Sequence, residues 1–110
     1  MPAKNAIKHY LSNGTYHVYN RGLNKDLIFK SEQDYKVFLT YLKDYLTPNE
    51  DSPKFKVRNL QNYFGEIELL TFCLMPNHVH LLIKQKDKDS IKKFTKSLFT
   101  RYSMYFNKKY

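Results

Sequence analysis

The chain has 110 residues, 42% of them hydrophobic, and it carries 19 Lys and Arg against 10 Asp and Glu, a formal net charge of +9. This length suits a single domain with one core, and the charge favours a polyanionic partner, nucleic acid before any other. The sequence shows no apolar stretch near the roughly 20 residues that span a bilayer and no secretion signal in residues 1–10, so we expect a cytoplasmic protein that does not enter membranes.

The positive charge is unevenly distributed along the chain. Residues 1–30 carry five basic and one acidic residue, net +4, whereas residues 31–83 carry five against seven, net −2. Residues 84–110 carry nine against two, net +7. Because local charge density determines phosphate affinity, the C-terminal segment is the first candidate for a DNA-binding surface.

The first predicted elements are a strand and a helix. Thr15–Arg21 is rich in aromatic and β-branched residues, and a turn containing Gly22 and Asn24 follows it. Ser31 is a suitable N-cap for a helix that ends before Pro48. Its apolar residues recur at helical spacing: Tyr35, Phe38, Leu39, Leu42, Tyr45 and Leu46.

A hairpin is predicted next. Residues 47–53 are turn-like, residues 55–61 fit either a helical turn or an irregular connection, and residues 64–74 favour a strand. Pro76 and Asn77 then force a turn before a second strand, His78–Gln85. Because Leu and Ile occupy both faces of that strand after its histidines, we expect a central strand covered on each side over part of its length.

A second helix completes the predicted order. Asp89 or Ser90 is its expected N-cap, and the helix is predicted over residues 91–107. One face is apolar, with Ile91, Phe94, Leu98, Tyr102, Tyr105 and Phe106, and the other is basic, with Lys92, Lys93 and Lys96. The order strand, helix, strand, strand, helix predicts an α+β fold with helices on a mainly antiparallel sheet, ferredoxin-like but without the last strand.

Two histidines in the second hairpin strand are the most informative residues. His78 and His80 stand at positions i and i+2, so both imidazoles project from the same face. Such a pair is half of a metal site, and further ligands must complete the coordination sphere. The alternatives are two histidines that are merely hydrogen-bonded, or a zinc site that adds Cys73. Cys73 itself is expected to pack as a small apolar residue.

Two sequence segments resemble the HUH-class single-tyrosine transposases, which include the REP-associated tyrosine transposases and small insertion-sequence transposases. The specific segment is Met75-Pro76-Asn77-His78-Val79-His80-Leu81-Leu82, and a weaker one is Tyr16-His17-Val18-Tyr19-Asn20-Arg21-Gly22. The resemblance implies nicking and joining of single-stranded DNA beside hairpins. In this chemistry a histidine-bound Mg²⁺ or Mn²⁺ polarises the phosphate, and a tyrosine attacks it to form a 5′-phosphotyrosine.

The resemblance also implies residues that this sequence does not show. In the family the nucleophilic tyrosine lies on a further C-terminal helix, with an amide residue that completes the metal site. We therefore expect residues 1–110 to be the N-terminal portion of such a transposase, catalytically incomplete and with a homodimer as one possible assembly. Tyr105 and Tyr110 are the internal candidates for a nucleophile, although Tyr105 falls in the apolar stripe and is expected to be core.

The expected DNA contacts combine charge and aromatic rings. Arg21 is a candidate phosphate contact beside the motif, and the basic helix face provides Lys92, Lys93 and Lys96. Exposed aromatic residues can stack on bases, and the candidates are Tyr10, Tyr16 and Tyr19. The alternative function is a non-catalytic module that binds single-stranded nucleic acid and does not use the histidine pair.

Overall fold

The computed structural model describes residues 11–48 and 62–110. Its elements follow the predicted order: β1 (Thr15–Arg21), α1 (Glu32–Leu46), β2 (Ile67–Met75), β3 (His78–Gln85) and α2 (Ser90–Lys109). A short 3₁₀ turn, Leu23–Lys25, follows β1, where the sequence predicts a turn. The predictions for Tyr10, for residues 55–61 and for most of residues 47–53 fall outside the described residues.

The three strands form one antiparallel sheet in the order β1-β3-β2. Since β3 is antiparallel to both neighbours, β1 and β2 are parallel to each other, and α1 connects them across the sheet. This is a split β-α-β unit, and the following α2 packs on the same sheet. The predicted α+β arrangement is confirmed.

The core lies between the helices and one face of the sheet. Val79, Leu81 and Ile83 of β3 are buried there, together with Phe38 of α1 and Phe94 of α2. On the other face of β3, His78, His80 and Leu82 are half-buried and Lys84 is exposed. The expectation that β3 is the central strand is confirmed. The expectation that elements cover both of its faces is wrong for the part of the chain that the structure describes. Both helices cover a single face, which we call the helix face.

Both helices begin where the sequence indicates, but they are capped differently. The Ser31 side chain accepts a hydrogen bond from the Asp34 backbone amide at 3.4 Å, as an N-cap does. At α2, neither predicted cap side chain fills this role, although Asp89 occupies the N-cap position. The buried Gln85 side chain replaces it, because its Oε1 accepts from the Ile91 amide at 2.9 Å.

The second strand differs from its prediction in two ways. It begins at Ile67 rather than at residue 64, and it contains a bulge, because Leu69 pairs with Ile83 whereas Thr71 pairs with Leu82. The extra residue, Leu70, is exposed. The bulge shifts the apolar alternation by one position, so that Leu74 points to the core.

The turn between β2 and β3 is docked on the segment that follows β1. The Pro76 carbonyl accepts hydrogen bonds from the amides of Ile28 and Phe29 at 2.8 and 3.1 Å, and the Asn77 carbonyl accepts from Gly22 at 2.9 Å. A Cβ at Gly22 would collide with the Asp26 carbonyl, so this close approach requires glycine. The start of β3 is therefore held from two sides.

Candidate metal and DNA site

His78 and His80 project from the sheet face opposite the helices, which we call the histidine face. Residues paired across an antiparallel sheet share a face. Arg21 and Met75 are the cross-strand partners of His78, and Tyr19 and Cys73 are those of His80. The histidine face therefore combines imidazoles with a guanidinium, a phenol and a thiol.

The two imidazoles lie side by side, and each is held through its Nδ1 atom. Their ring centroids are 4.8 Å apart, with the planes nearly perpendicular. His78 Nδ1 lies 2.6 Å from Asn77 Oδ1, an acceptor, so this nitrogen carries the proton. The Nε2 atom of His78 therefore has a free lone pair, as a metal ligand requires.

A third histidine, which the sequence analysis did not select, completes the cluster. His17 Nε2 lies 2.8 Å from His80 Nδ1, and the two ring planes are within 10° of parallel, with centroids 4.9 Å apart. Tyr19 stacks on His17 at 5.7 Å. The alternation of β1 places His17 and Tyr19 on one face, but only the pairing with β3 shows that this is the histidine face.

The environment keeps His80 neutral. Partial burial lowers the pKa of His80 below its usual value, and the nearby His78, His17 and Arg21 act in the same direction. A neutral imidazole is the form that binds a metal. The ring is therefore available as a ligand at neutral pH.

The candidate DNA contacts divide between the two sides of the sheet. Arg21 and Tyr19 are exposed on the histidine face, and Tyr19 is 60% exposed. Tyr16 is half-buried and packs against the core on the helix face. The structure therefore brings Arg21 and Tyr19, but not Tyr16, beside the histidines.

The basic stripe of α2 lies away from the histidines. Lys92, Lys93 and Lys96 are exposed, while Phe94 and Leu98 of the same helix are buried against the sheet. Because α2 packs on the helix face, its outward lysines are separated from the histidine face by the helix and the sheet. The structure therefore places the lysines of α2 on one surface and the other candidate DNA contacts, Arg21 and Tyr19, on another.

Tyr105 and Tyr110 also lie on the helix side, where they hydrogen-bond to a buried carboxylate. Their hydroxyls donate to Asp34 at 2.6 Å each, and Lys109 Nζ donates to it at 2.8 Å. Burial and the bond to Asp34 raise the pKa of Tyr105. As predicted, Tyr105 packs against the core. Neither hydroxyl faces the histidines, so the geometry disfavours both as nucleophiles.

Cys73 does not pack as a small apolar residue, because the bulge in β2 leaves it exposed on the histidine face beside His80. Within residues 11–48 and 62–110, no three or more His, Cys, Asp and Glu side chains are arranged to hold a metal ion. The alternative of a zinc site that adds Cys73 is therefore not formed by these described residues. His78 and His80 remain as a pair of imidazole donors.

Neither helix in the described part of the chain is both long and apolar enough to cross a membrane. The sequence matches the family model of IS200-like transposases over residues 10–110, nearly its whole length. No curated protein and no solved structure matches it. The family model agrees with the resemblance carried by the His78 and His80 motif, and the chain belongs to the IS200-like transposases, a family that acts on DNA.

Proposed function

We propose that this chain binds single-stranded or hairpin DNA and a divalent metal as part of a cytoplasmic transposase that nicks and rejoins one strand. The observation that supports this most directly is the pairing of His78 and His80 on one sheet face, with both Nδ1 atoms held by neighbours. Transposases of this family are generally metal-dependent. The histidine pair is the part of the described chain suited to that requirement.

The donor set fits a weakly held cation. Two imidazoles leave most of the coordination sphere to oxygen ligands, from water or from the DNA phosphate, as Mg²⁺ and Mn²⁺ accept. A metal bound there would supply Lewis-acid polarisation of the phosphate. Arg21, the cross-strand partner of His78, is positioned to bind a phosphate oxygen on the same face.

The attacking tyrosine is proposed to reach the histidine face from outside the described residues, either from another part of the protein or from a second copy. Its oxygen forms the bond to phosphorus while the bond to the 3′-oxygen breaks. The tyrosine hydroxyl releases its proton to water, and the 3′-oxygen takes up one proton from water and leaves as a 3′-hydroxyl. Tyr19 is the tyrosine that the described residues place on this face. We assign it to base stacking, because its exposed ring lies beside the imidazole cluster.

Titration with Mn²⁺ tests the metal site. We expect paramagnetic broadening of the His78 and His80 ring signals and of the Tyr19 amide signal in NMR spectra, since Tyr19 is the cross-strand partner of His80. The broadening at Tyr19 should be lost in the His78→Ala/His80→Ala variant. Thr15→Ala is a matched control, since Thr15 is an exposed residue on the same face. An unchanged response in the double variant would refute the metal site.

DNA binding distinguishes the transposase from the alternative module. A transposase with this site should bind hairpin DNA more tightly when Mn²⁺ is present, and Arg21→Gln should reduce the gain. Equal affinity with and without metal, measured by fluorescence anisotropy, would instead favour the non-catalytic module.

A further inference from the structure

We infer that His17 is a positioning residue for His80: it accepts a hydrogen bond from His80 Nδ1–H and thereby leaves His80 Nε2 as the free ligand atom. The inference rests on the proposed metal site and assigns a role to a residue outside the histidine pair. The contact between His17 Nε2 and His80 Nδ1 is 2.8 Å long. The rings are within 10° of parallel, so the contact also fixes the plane of His80.

The direction of this hydrogen bond decides whether His80 can bind a metal. A neutral imidazole has one protonated nitrogen and one lone pair. If His17 donated, the His80 proton would sit on Nε2 and the lone pair on Nδ1 would be used by His17. His80 would then have no nitrogen left for a ligand. If His80 donates, its Nε2 lone pair is free.

The neighbouring ligand shows the same arrangement with a different partner. His78 Nδ1 donates to Asn77 Oδ1, 2.6 Å away, which leaves Nε2 free. Metal-binding histidines commonly donate their second N–H to such a partner, which fixes both the tautomer and the ring orientation. His17 and Asn77 thus act as equivalent supports for the two imidazoles.

The His17 side chain lies outside the core, where it can be replaced without disturbing the fold. Its side chain is exposed on β1, and its backbone pairs with Leu82, so the hydrogen bond to His80 is a diagonal contact across the sheet. Exposed positions outside the core generally tolerate substitution. Replacing the imidazole should therefore alter His80 without unfolding the protein.

The tautomer is measured directly in the metal-free 110-residue chain. Long-range ¹H–¹⁵N NMR spectra should show His80 protonated at Nδ1 with a lone pair at Nε2, and His17 with its lone pair at Nε2. A His80 protonated at Nε2 would overturn the inference. This result does not depend on whether a metal binds.

Two substitutions then separate the effect of the hydrogen bond from that of having an aromatic ring at position 17. His17→Gln retains an acceptor, and we expect its Mn²⁺ affinity to stay within about threefold of the parent chain. His17→Phe keeps an aromatic ring at this position but accepts no hydrogen bond, and the affinity should fall about tenfold, a typical loss for such supporting residues. Thr15→Ala serves as the control, and unchanged melting temperatures confirm that all variants fold.

The outcomes distinguish this inference from the proposed function. Equal Mn²⁺ affinities for His17→Phe and the parent chain, with binding still lost in His78→Ala/His80→Ala, would overturn the role of His17 alone. Binding that survives in His78→Ala/His80→Ala would refute the metal site, and the tautomer of His80 would then decide whether His17 orients it.

Discussion

Asp34 shows how a single residue can tie distant parts of this chain together. Its buried carboxylate accepts hydrogen bonds from Lys109, Tyr105 and Tyr110 of the C-terminal segment and from the Lys30 amide. Burial alone would raise the pKa of Asp34, but these donors outweigh it and hold the pKa well below its usual value. The end of α2 is thereby fastened to the start of α1.

The first prediction concerns the pH dependence of this contact. Because the folded-state pKa of Asp34 is depressed, its stabilisation is fully present above the unfolded-state pKa, about 3.9, and is lost as the pH falls below that value. In urea unfolding, the stability of the parent chain should therefore fall as the pH is lowered below about 4. This fall should be smaller in Asp34→Asn.

Near pH 7, Asp34→Ala should lower the free energy of unfolding by about 3 kcal/mol, since four donors lose a buried charged acceptor. Glu32→Gln is the matched control, because Glu32 is an exposed acid in the same helical turn; it should change stability by no more than about 0.5 kcal/mol. Equal losses in the two variants would contradict the role of Asp34.

Gly22 carries the second prediction. Its backbone is extended, with φ −64°, a conformation that any residue adopts, so a side chain is disfavoured by the atoms that a Cβ would meet: the Asp26 carbonyl and, at 3.1 Å, Ile28 Cγ2. Gly22→Ala should destabilise the protein by about 1–3 kcal/mol, as other overpacked sites do, and should shift the amide signals of Asn77 and His78. A thermal melt and NMR spectra identical to those of the parent would exclude this close contact.

At the scale of elements, the basic face of α2 and the histidine face are predicted to act independently. Changing Lys92, Lys93 and Lys96 together to Gln should flatten the slope of log K against log salt for single-stranded DNA by up to about 2, at about 0.7 per lost phosphate contact. The affinity for Mn²⁺ should not change, because these lysines lie on the other side of the sheet.

The control for the lysine variant is Lys36→Gln/Lys43→Gln, which removes two exposed charges from α1. If both variants flatten the slope by the same amount per charge, the DNA responds to net charge alone and the face of α2 has no special role. A loss of Mn²⁺ affinity in the α2 variant would show that the two faces are coupled.

Local patterns predicted most of the elements, whereas contacts between distant residues were not predictable. The Ser31 cap, the turn at Pro76 and the stripe of α2 depend on neighbouring residues, and the structure confirms them. His17 and His80 are 63 residues apart, and their contact depends on the pairing of β1 with β3. No local pattern specifies such a pairing.

Two other features were missed for physical reasons. Asp34 resembles an ordinary acidic residue in the first turn of a helix, and its burial depends on donors from the far end of the chain. Cys73 has apolar neighbours on both sides, but the bulge at Leu70 places it on the histidine face. A single inserted residue thus reverses an assignment that simple alternation would make.

At the scale of the whole molecule, the sheet separates structural tyrosines from the site of proposed chemistry. We predict that Tyr105→Phe and Tyr110→Phe reduce stability, because each removes a hydrogen bond to Asp34, and that neither creates nor abolishes a covalent protein–DNA adduct. The measurement is a denaturing gel after incubation with end-labelled hairpin DNA and Mn²⁺.

The same gel tests the 110 residues without further chain. We expect no adduct from them, because the described residues place no tyrosine other than Tyr19 on the histidine face. An adduct formed by the 110 residues and abolished by Tyr105→Phe or Tyr110→Phe would contradict the separation of the two faces. Loss of the adduct in Tyr19→Phe alone would identify Tyr19 as the nucleophile.

The bulge in β2 bears on how this strand can change in length during evolution. A deletion inside a strand normally turns every following side chain to the opposite face. Here the loss of Leu70 would leave Leu69 opposite Ile83 and Thr71 opposite Leu82, a regular ladder with every remaining side chain on its present face. Relatives whose β2 is one residue shorter at this point should therefore keep the same core and the same neighbours around His80.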